Sequence, residues 1–399
     1  MENLLKSLLK TPWIILAVTI VSSAIFFMAM KKNSRMETDL DKYMPQEHPA
    51  FVYSDQAEEW FGINDGIIVA IENQNGIFNT ATLDTLKQLT RRLQKMDEIE
   101  KADVTSLYTA DNIVGTEEGM DVKAFYKRVP RSDEKLNELK HNVENNEMIF
   151  GRLVSFDETV TVIIAEIRDD VFTQEFYREI LSLTASFQTD DIKIHVAGRP
   201  IVEGTMALLG PADMKNMVPI VLLVITIVLF IMLRSVKSTI LTMMVVFLST
   251  VWAFGLMALL NVPIYAVSTM IPVMLIAIGV ADGIHLYSHL QLFLQKKPDA
   301  SKKEATIDMI QNMWKPIVMT SITTSVGFIS LLTSQVYPIK YFGIFTAFGV
   351  LAAMLFSMTL IPAGIMIFGL PKVKKLKTKS INDKPGFYDK FASWIVNRK

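Results

Sequence analysis

Cysteine is absent from all 399 residues. Disulfides, thiolate metal sites and cysteine nucleophiles are therefore excluded. Proline (15) and glycine (18) are too sparse for a fibrous or low-complexity chain. Charge is thin as well: a fifth of the residues are charged, half are hydrophobic, and mean hydropathy is +0.31. A water-soluble domain of this length rarely has a positive mean hydropathy, and a disordered chain does not. The composition points to a membrane protein with a sizeable water-facing part.

The net charge of −1 conceals an asymmetry. Residues 33–216 hold 34 Asp and Glu against 19 Lys and Arg, and the remainder is correspondingly basic. The basic part adjoins apolar stretches, as at the cytoplasmic ends of membrane helices. A nucleic-acid binder would carry a basic globular face, but here the globular part is acidic, so nucleic acid is not an expected partner.

Six stretches are long enough to cross a bilayer: 12–30, 217–233, 238–260, 264–286, 316–334 and 342–370. A span needs about 20 apolar residues. The first run follows Lys6 and Lys10 but is longer than the core of a signal peptide. Bases orient the set. Lys237, Lys296, Lys297, Lys302, Lys303 and Lys315 mark inner turns, and Lys372, Lys374, Lys375, Lys377 and Lys379 an inner tail. The turn Asn261-Val262-Pro263 has no charge, and 335–341 has only Lys340. The expectation is a multi-pass protein of the cytoplasmic membrane with both termini inside. Its parts are a lead-in and first span (1–32), an extracytoplasmic domain (33–216), five spans (217–370) with a cytoplasmic segment at 291–315, and a basic tail (371–399). The 291–315 segment is expected to be an inner-surface helix broken at Pro298.

Within the outer domain the elements alternate. Strands are expected at 66–71, 104–108 and 192–197, and a hairpin at 153–155 and 160–166 around Asp157-Glu158. Helical spacing covers 80–96, with Leu83, Leu86, Leu89 and Leu93 on one side, then 133–143 and 172–187. Two strand–helix–strand units of this kind suggest a ferredoxin-like, split βαβ domain. The fold class is thus an α-helical bundle of six transmembrane helices with this α+β domain inserted between helices 1 and 2. The domain has no phosphate loop and no His-Glu-x-x-His, and His48, His141 and His195 are scattered. Neither a cofactor nor a metal site is indicated, and no nucleophile–base pair suggests an enzyme.

Five spans lack any acid, base or histidine; the fourth carries Asp282 and His285 in Gly279-Val280-Ala281-Asp282-Gly283-Ile284-His285. A carboxylate at mid-membrane costs ~2.5–3.5 kcal/mol on insertion scales. Such a group faces a bundle interior or a water path, where it can bind and release a proton. His285 and His289 follow at spacings that can share the face of Asp282. The fifth span offers Thr320, Ser321, Thr323, Thr324 and Ser325. Small hydroxyls let helices approach, and Thr320, Ser321 and Thr324 could also support the Asp282 carboxyl. Gly279 and Gly283 flank the acid.

One span, a large outer domain and five further spans with an acid in the fourth resemble one half of a resistance–nodulation–division (RND) transporter. The similarity is to the branch of the mycobacterial large membrane proteins, hopanoid exporters and Patched-like proteins. Thr38-Asp39-Leu40 with Met44-Pro45, Phe61-Gly62, Gly198-Arg199-Pro200 and the Gly279–His285 motif follow in the family's order. Many relatives have Gly-x-Gly-x-Asp. Aligned on Gly279, Ala281 replaces the second glycine and Asp282 comes one place early.

The resemblance implies export of hydrophobic or amphiphilic molecules, lipids among the candidates, driven by protons through a relay at Asp282 and His285. It also implies a second six-span half, or a like chain in a homo-oligomer, as partner beside the lipid bilayer. The end at 387–399 loosely echoes the start and resembles the lead-in to a second half. Two other classes stay open: a non-transporting lipid- or partner-binding sensor or assembly protein, and a protein-export motor subunit similar to SecD and SecF.

Overall fold

A computed structural model of the chain describes residues 11–61, 66–116, 119–168, 173–371 and 393–394. The lead-in at 1–10, Gly62, and the tail at 372–399 apart from 393–394 lie outside the described residues.

Among the described residues, six helices are long and apolar enough to cross a membrane. They are α1 (Pro12–Asn33), α6 (Arg199–Leu233), α7 (Val236–Leu259), α8 (Ile271–Lys296), α9 (Lys302–Ile329) and α10 (Tyr337–Phe368). A 3-10 turn, Ala266–Met270, leads into α8, and another, Ser330–Thr333, extends α9. α10 is the hub, packing on α1, α7, α8 and α9. The buried share of the span is 61% for α10 and 11% for α1 and α6, so the latter two sit at the rim.

Glycines decide where helices touch. A Cβ on Gly255 (α7) would lie 2.5 Å from Cβ of Phe26 (α1), one on Gly349 (α10) 2.5 Å from Leu275 (α8), and one on Gly364 (α10) 2.5 Å from Leu241 (α7). Lipid supplies no hydrophobic drive for association, so such close packing holds the bundle together. The Trp252 indole N–H (α7) adds a 2.9 Å hydrogen bond to Ser23 Oγ (α1).

Between α1 and α6 lies the α+β part. Its elements are α2 (Pro49–Phe61), β1 (Gly66–Glu72), α3 (Thr80–Leu93), β2 (Ile99–Thr105), β3 (Asp111–Thr116), β4 (Gly119–Ala124), α4 (Asp133–Glu144), β5 (Val160–Ile167), α5 (Gln174–Ser186) and β6 (Lys193–Ala197). The main sheet runs β2-β5-β1-β6, with every neighbour antiparallel. α3 thus joins two strands separated by β5, and α5 two separated by β1; this is the interleaved βαβ connectivity. One sheet face buries Ile67, Val69, Ile71, Ile163, Ala165 and Ile194 against Leu83, Leu86, Leu89 and Leu93 of α3 and Phe176 and Ile180 of α5. Those leucines recur at helical spacing, and Asn79 caps α3 by accepting from Thr82 N. His195 meets Glu72 across β6 and β1 at 2.9 Å, and that hydrogen bond, with one from Gln74, holds the Glu72 carboxyl below its usual range.

Several boundaries differ from the sequence expectation. The second strand starts at Ile99, not Val104, and a β3–β4 hairpin and helix α2 were not foreseen. Residues 153–155 form no strand; only an isolated bridge, Val154 to Thr161, marks the expected hairpin. The expected inner-surface helix is not separate: α9 runs unbroken from Lys302 through Pro316 into the span, and the break falls at 297–301. α6 begins at Arg199, 18 residues before the expected span, so one 35-residue helix joins the sheet to the far side of the bundle. At ~1.5 Å per residue it is about 52 Å long.

β6 feeds directly into α6 through Gly198, whose φ is +122°. A Cβ there would stand 2.3 Å from the carbonyl oxygen of Gly66. That backbone region is essentially confined to glycine. Gly198→Ala is expected to destabilise the sheet by about 2 kcal/mol or more, measured as a lower melting temperature by circular dichroism in detergent. Gly115→Ala, with open space around it, should leave the melt unchanged.

Candidate functional site around Asp282

α8 begins on Ile271 and carries Pro272 in its first turn, where the missing N–H is harmless. Ten residues on, Asp282 is 6% exposed. Among the described residues it is the only carboxyl, amine or imidazole side chain that is buried, and no hydrogen bond from another described residue reaches its carboxyl. The two flanking glycines put it there. A Cβ on Gly283 would lie 2.4 Å from Thr242 Cγ2 on α7; one on Gly279 would lie 3.2 Å from Val246 Cγ2 on α7 and 3.4 Å from Ala353 Cβ on α10. α8 is thus pressed into the angle between α7 and α10.

The helix register identifies neighbours that sequence reasoning missed. Leu275 meets Gly349, and Gly279 meets Ala353. Continued by one turn, this parallel register brings Ser357 of α10 level with Asp282 and Gly283. Ser357 is fully buried, and its Oγ has no hydrogen-bond partner among the described residues; Thr346 Oγ1, three turns earlier on α10, is in the same condition. A buried, unpaired hydroxyl is costly. The available signal was a lone serine inside the apolar run Leu355-Phe356-Ser357-Met358.

The expected partners are distributed differently. His285 is exposed, so it does not share the buried face of Asp282; the two are about 60° apart around the helix, and the glycine contacts set an inward side that includes Asp282 but not His285. Thr320 is also exposed, and its hydroxyl donates back to Pro316 O (3.0 Å) and Ile317 O (2.9 Å). Ser321 is buried and Thr324 half-buried. Ser325 donates to Ala347 O of α10 at 3.3 Å. The hydroxyls of Thr320, Thr323 and Ser325 therefore serve α9 itself and its contact with α10. His289 pairs with Asp308 of α9 at 2.9 Å. The two stand eight residues before and seven after the 297–301 break, a symmetry that an antiparallel helix pair brings side by side.

A second cluster ties the α+β part to the bundle. Arg199 Nε donates to Glu203 (3.0 Å), and its Nη2 pairs with Asp41 and with Asp39 (3.5 Å). Leu40 N donates to Glu203 (3.0 Å). A hydrogen bond from Lys42 to Asp39, then the charge of Glu37, hold the Lys42 ammonium above its usual range. The same segment reaches the α7–α8 turn: Ile264 N donates to Arg35 O (2.8 Å), Glu37 N to Ile264 O (3.0 Å), and the Tyr43 ring stands edge-on to Tyr265 at 5.2 Å. On the other side, Tyr177 of α5 hydrogen-bonds Thr205 (2.8 Å) and fills the space over Gly204. The first turns of α6 are clamped by the sheet, α5 and residues 35–43 together.

Six spans, an α+β insertion and an acid buried in the fourth span are the parts seen in the sequence resemblance. The profile described as the MMPL family matches residues 76–398. The chain belongs to the MMPL family, within the RND superfamily. A protein of Methanocaldococcus jannaschii, named as a membrane protein, is 22% identical to this MMPL chain over 377 residues, covering 92% of this chain and 94% of that protein. This chain is a membrane protein of a transporter family.

Two outcomes follow from the packing. Gly283→Ala should cost about 1–3 kcal/mol by overpacking against α7, and Thr242→Ala should restore most of it in the double variant; thermal unfolding in detergent measures both. Glu203→Ala should speed amide hydrogen exchange across 35–43 by about tenfold, the equivalent of ~1.4 kcal/mol of local opening, while exchange in α3 and β1 stays the same.

Proposed function

We propose that the protein is a proton-driven exporter of hydrophobic or amphiphilic molecules in a cytoplasmic membrane, with the α+β part on the extracytoplasmic side. The observation that carries this reading is the burial of Asp282 as a lone carboxyl within a span. A group so placed is costly and needs a role to be retained. Protonation of Asp282 removes a charge from the contact of α8 with α7 and α10, and ionisation returns it. The packed interface then has two charge states and two preferred arrangements. A proton crossing ~100 mV gains ~2.3 kcal/mol, enough to bias an equilibrium between them. α6 would carry the movement, because one unbroken helix links the bundle to the sheet. Membership of the MMPL family supports transport; the substrate class and the proton as driving ion are part of the proposal.

The partner in this reading is a second six-span half or another copy of the chain. Ala281, His285 and Ser288 of α8, with Thr320, Thr323 and Gly327 of α9, are exposed. Small and polar residues of this kind suit helix–helix contact better than lipid. His285 would then act from the partner-facing side rather than beside Asp282.

The test is Asp282→Asn in vesicles under an imposed pH gradient. Efflux of a fluorescent amphiphile and the accompanying proton flux should both disappear, with span insertion unchanged. Undiminished, proton-coupled efflux in the variant would end the relay role.

A further inference from the structure

Among the described residues, helix α2 is the one helix of the α+β part without a buried residue. Its large apolar side chains are among the most open in the protein: Tyr53 is 69% exposed, Trp60 73% and Phe61 74%. At 100° per residue, Tyr53, Trp60 and Phe61 fall with Pro49, Ala50 and Ala57 within about 120° of arc, while half-buried Phe51 and Val52, 38% exposed, lie outside it. Asp55, Glu58 and Glu59 lie on the far side, and the helix has no lysine or arginine. The arc itself carries no charge. A 13-residue helix with such a division is stable only when its apolar stripe is covered.

Its position indicates the cover. The chain leaves α1 at Asn33 and is hydrogen-bonded to Ile264, in the turn between two spans, through Arg35 and Glu37. Tyr43 lies against Tyr265, Tyr265 stacks on Tyr341 at 5.9 Å, and Tyr341 is 6.2 Å from Tyr337. Tyr265, Tyr337 and Tyr341 cluster near the ends of the spans with Tyr43 beside them; Tyr265 is buried and the other three are half-buried. Amphipathic rings of this kind collect at the level where a bilayer meets water. Pro49 follows Tyr43 by six residues, a reach of at most about 20 Å. α2 therefore starts within that reach of the tyrosine cluster. Tyr53 and Trp60 have the same amphipathic ring chemistry as that cluster.

We infer that α2 is an interfacial helix, lying in the headgroup region at the α+β end of the bundle with Tyr53, Ala57, Trp60 and Phe61 turned into lipid and Asp55, Glu58 and Glu59 into water. This inference rests on the six helices being membrane spans and is independent of the role of Asp282. With acids only on its polar face, the helix suits a zwitterionic surface and is repelled by an anionic one.

The lack of native cysteine allows a clean test. Ala57→Cys and Asp55→Cys, each carrying an environment-sensitive fluorophore, are made in the full chain and reconstituted into phosphatidylcholine vesicles. Brominated lipid should quench the label at 57 about threefold or more strongly than the label at 55, and aqueous iodide should show the opposite order. Adding Trp60→Ala and Phe61→Ala should weaken the lipid quenching at 57. Three results would overturn the inference: equal iodide quenching at both positions with none from lipid, as for a helix in water; shielding of 57 from both quenchers, as for a helix covered by protein; or lipid quenching indifferent to the loss of Trp60 and Phe61.

Discussion

Close approach of helices inside hydrocarbon is the constraint on which this molecule depends. Lipid tails are as apolar as the leucines they meet, so burial alone does not assemble a bundle. What assembles it is van der Waals contact at short range, and glycine allows that range. Gly279 and Gly283 bring α8 onto α7 and α10, while Gly349 and Gly364 do the same from α10. The burial of Asp282 is a consequence of this packing. The acid sits between the two glycines, so a closely packed turn of helix also holds a costly side chain. Structural economy alone would place a hydrophobic residue there.

The second constraint is mechanical. α6 passes from the sheet through the membrane without interruption, and its first turns are held on three sides. Each ion pair at Arg199 is partly exposed and worth little by itself, no more than about 1 kcal/mol. Together they fix geometry: Arg199 meets Asp39, Asp41 and Glu203 while Ile264 binds the same segment. A tilt of α6 is therefore felt both at the edge of the sheet and at the turn between α7 and α8.

Much of the fold was legible in the chain. The six apolar runs, the leucine spacing of α3 and the alternation of strand and helix carried over into the structure. Misses came where the local pattern was weak or ambiguous. β3 and β4 are short, lie apart from the main sheet and lack an Asn-Gly or Asp-Gly turn. α6 and α9 extend well beyond their apolar cores although Pro211 and Pro219 lie inside α6 and Pro316 inside α9; a proline interrupts the hydrogen bonding of a helix without necessarily ending it. At the site, Asp282, Gly279 and Gly283 were legible, whereas Ser357 and Thr242 were not. The α9 hydroxyls are clustered in sequence, while Thr242, packed on Gly283, and Ser357, level with it, come singly from two other helices.

The sequence by itself determined the number of spans, the presence of one acid among them and the existence of a mixed α+β insertion. It could do so because a bilayer accepts only long apolar segments with their backbone hydrogen bonds closed internally, a requirement met or failed residue by residue. Tertiary structure alone decided that Asp282 faces inward while His285 faces out, that His289 meets Asp308, and that β5 lies between β1 and β2. Each of these depends on the rotation of a helix or the pairing of distant strands. Rotation and pairing are set by contacts between residues far apart in the chain, and such contacts leave no periodic mark on either partner.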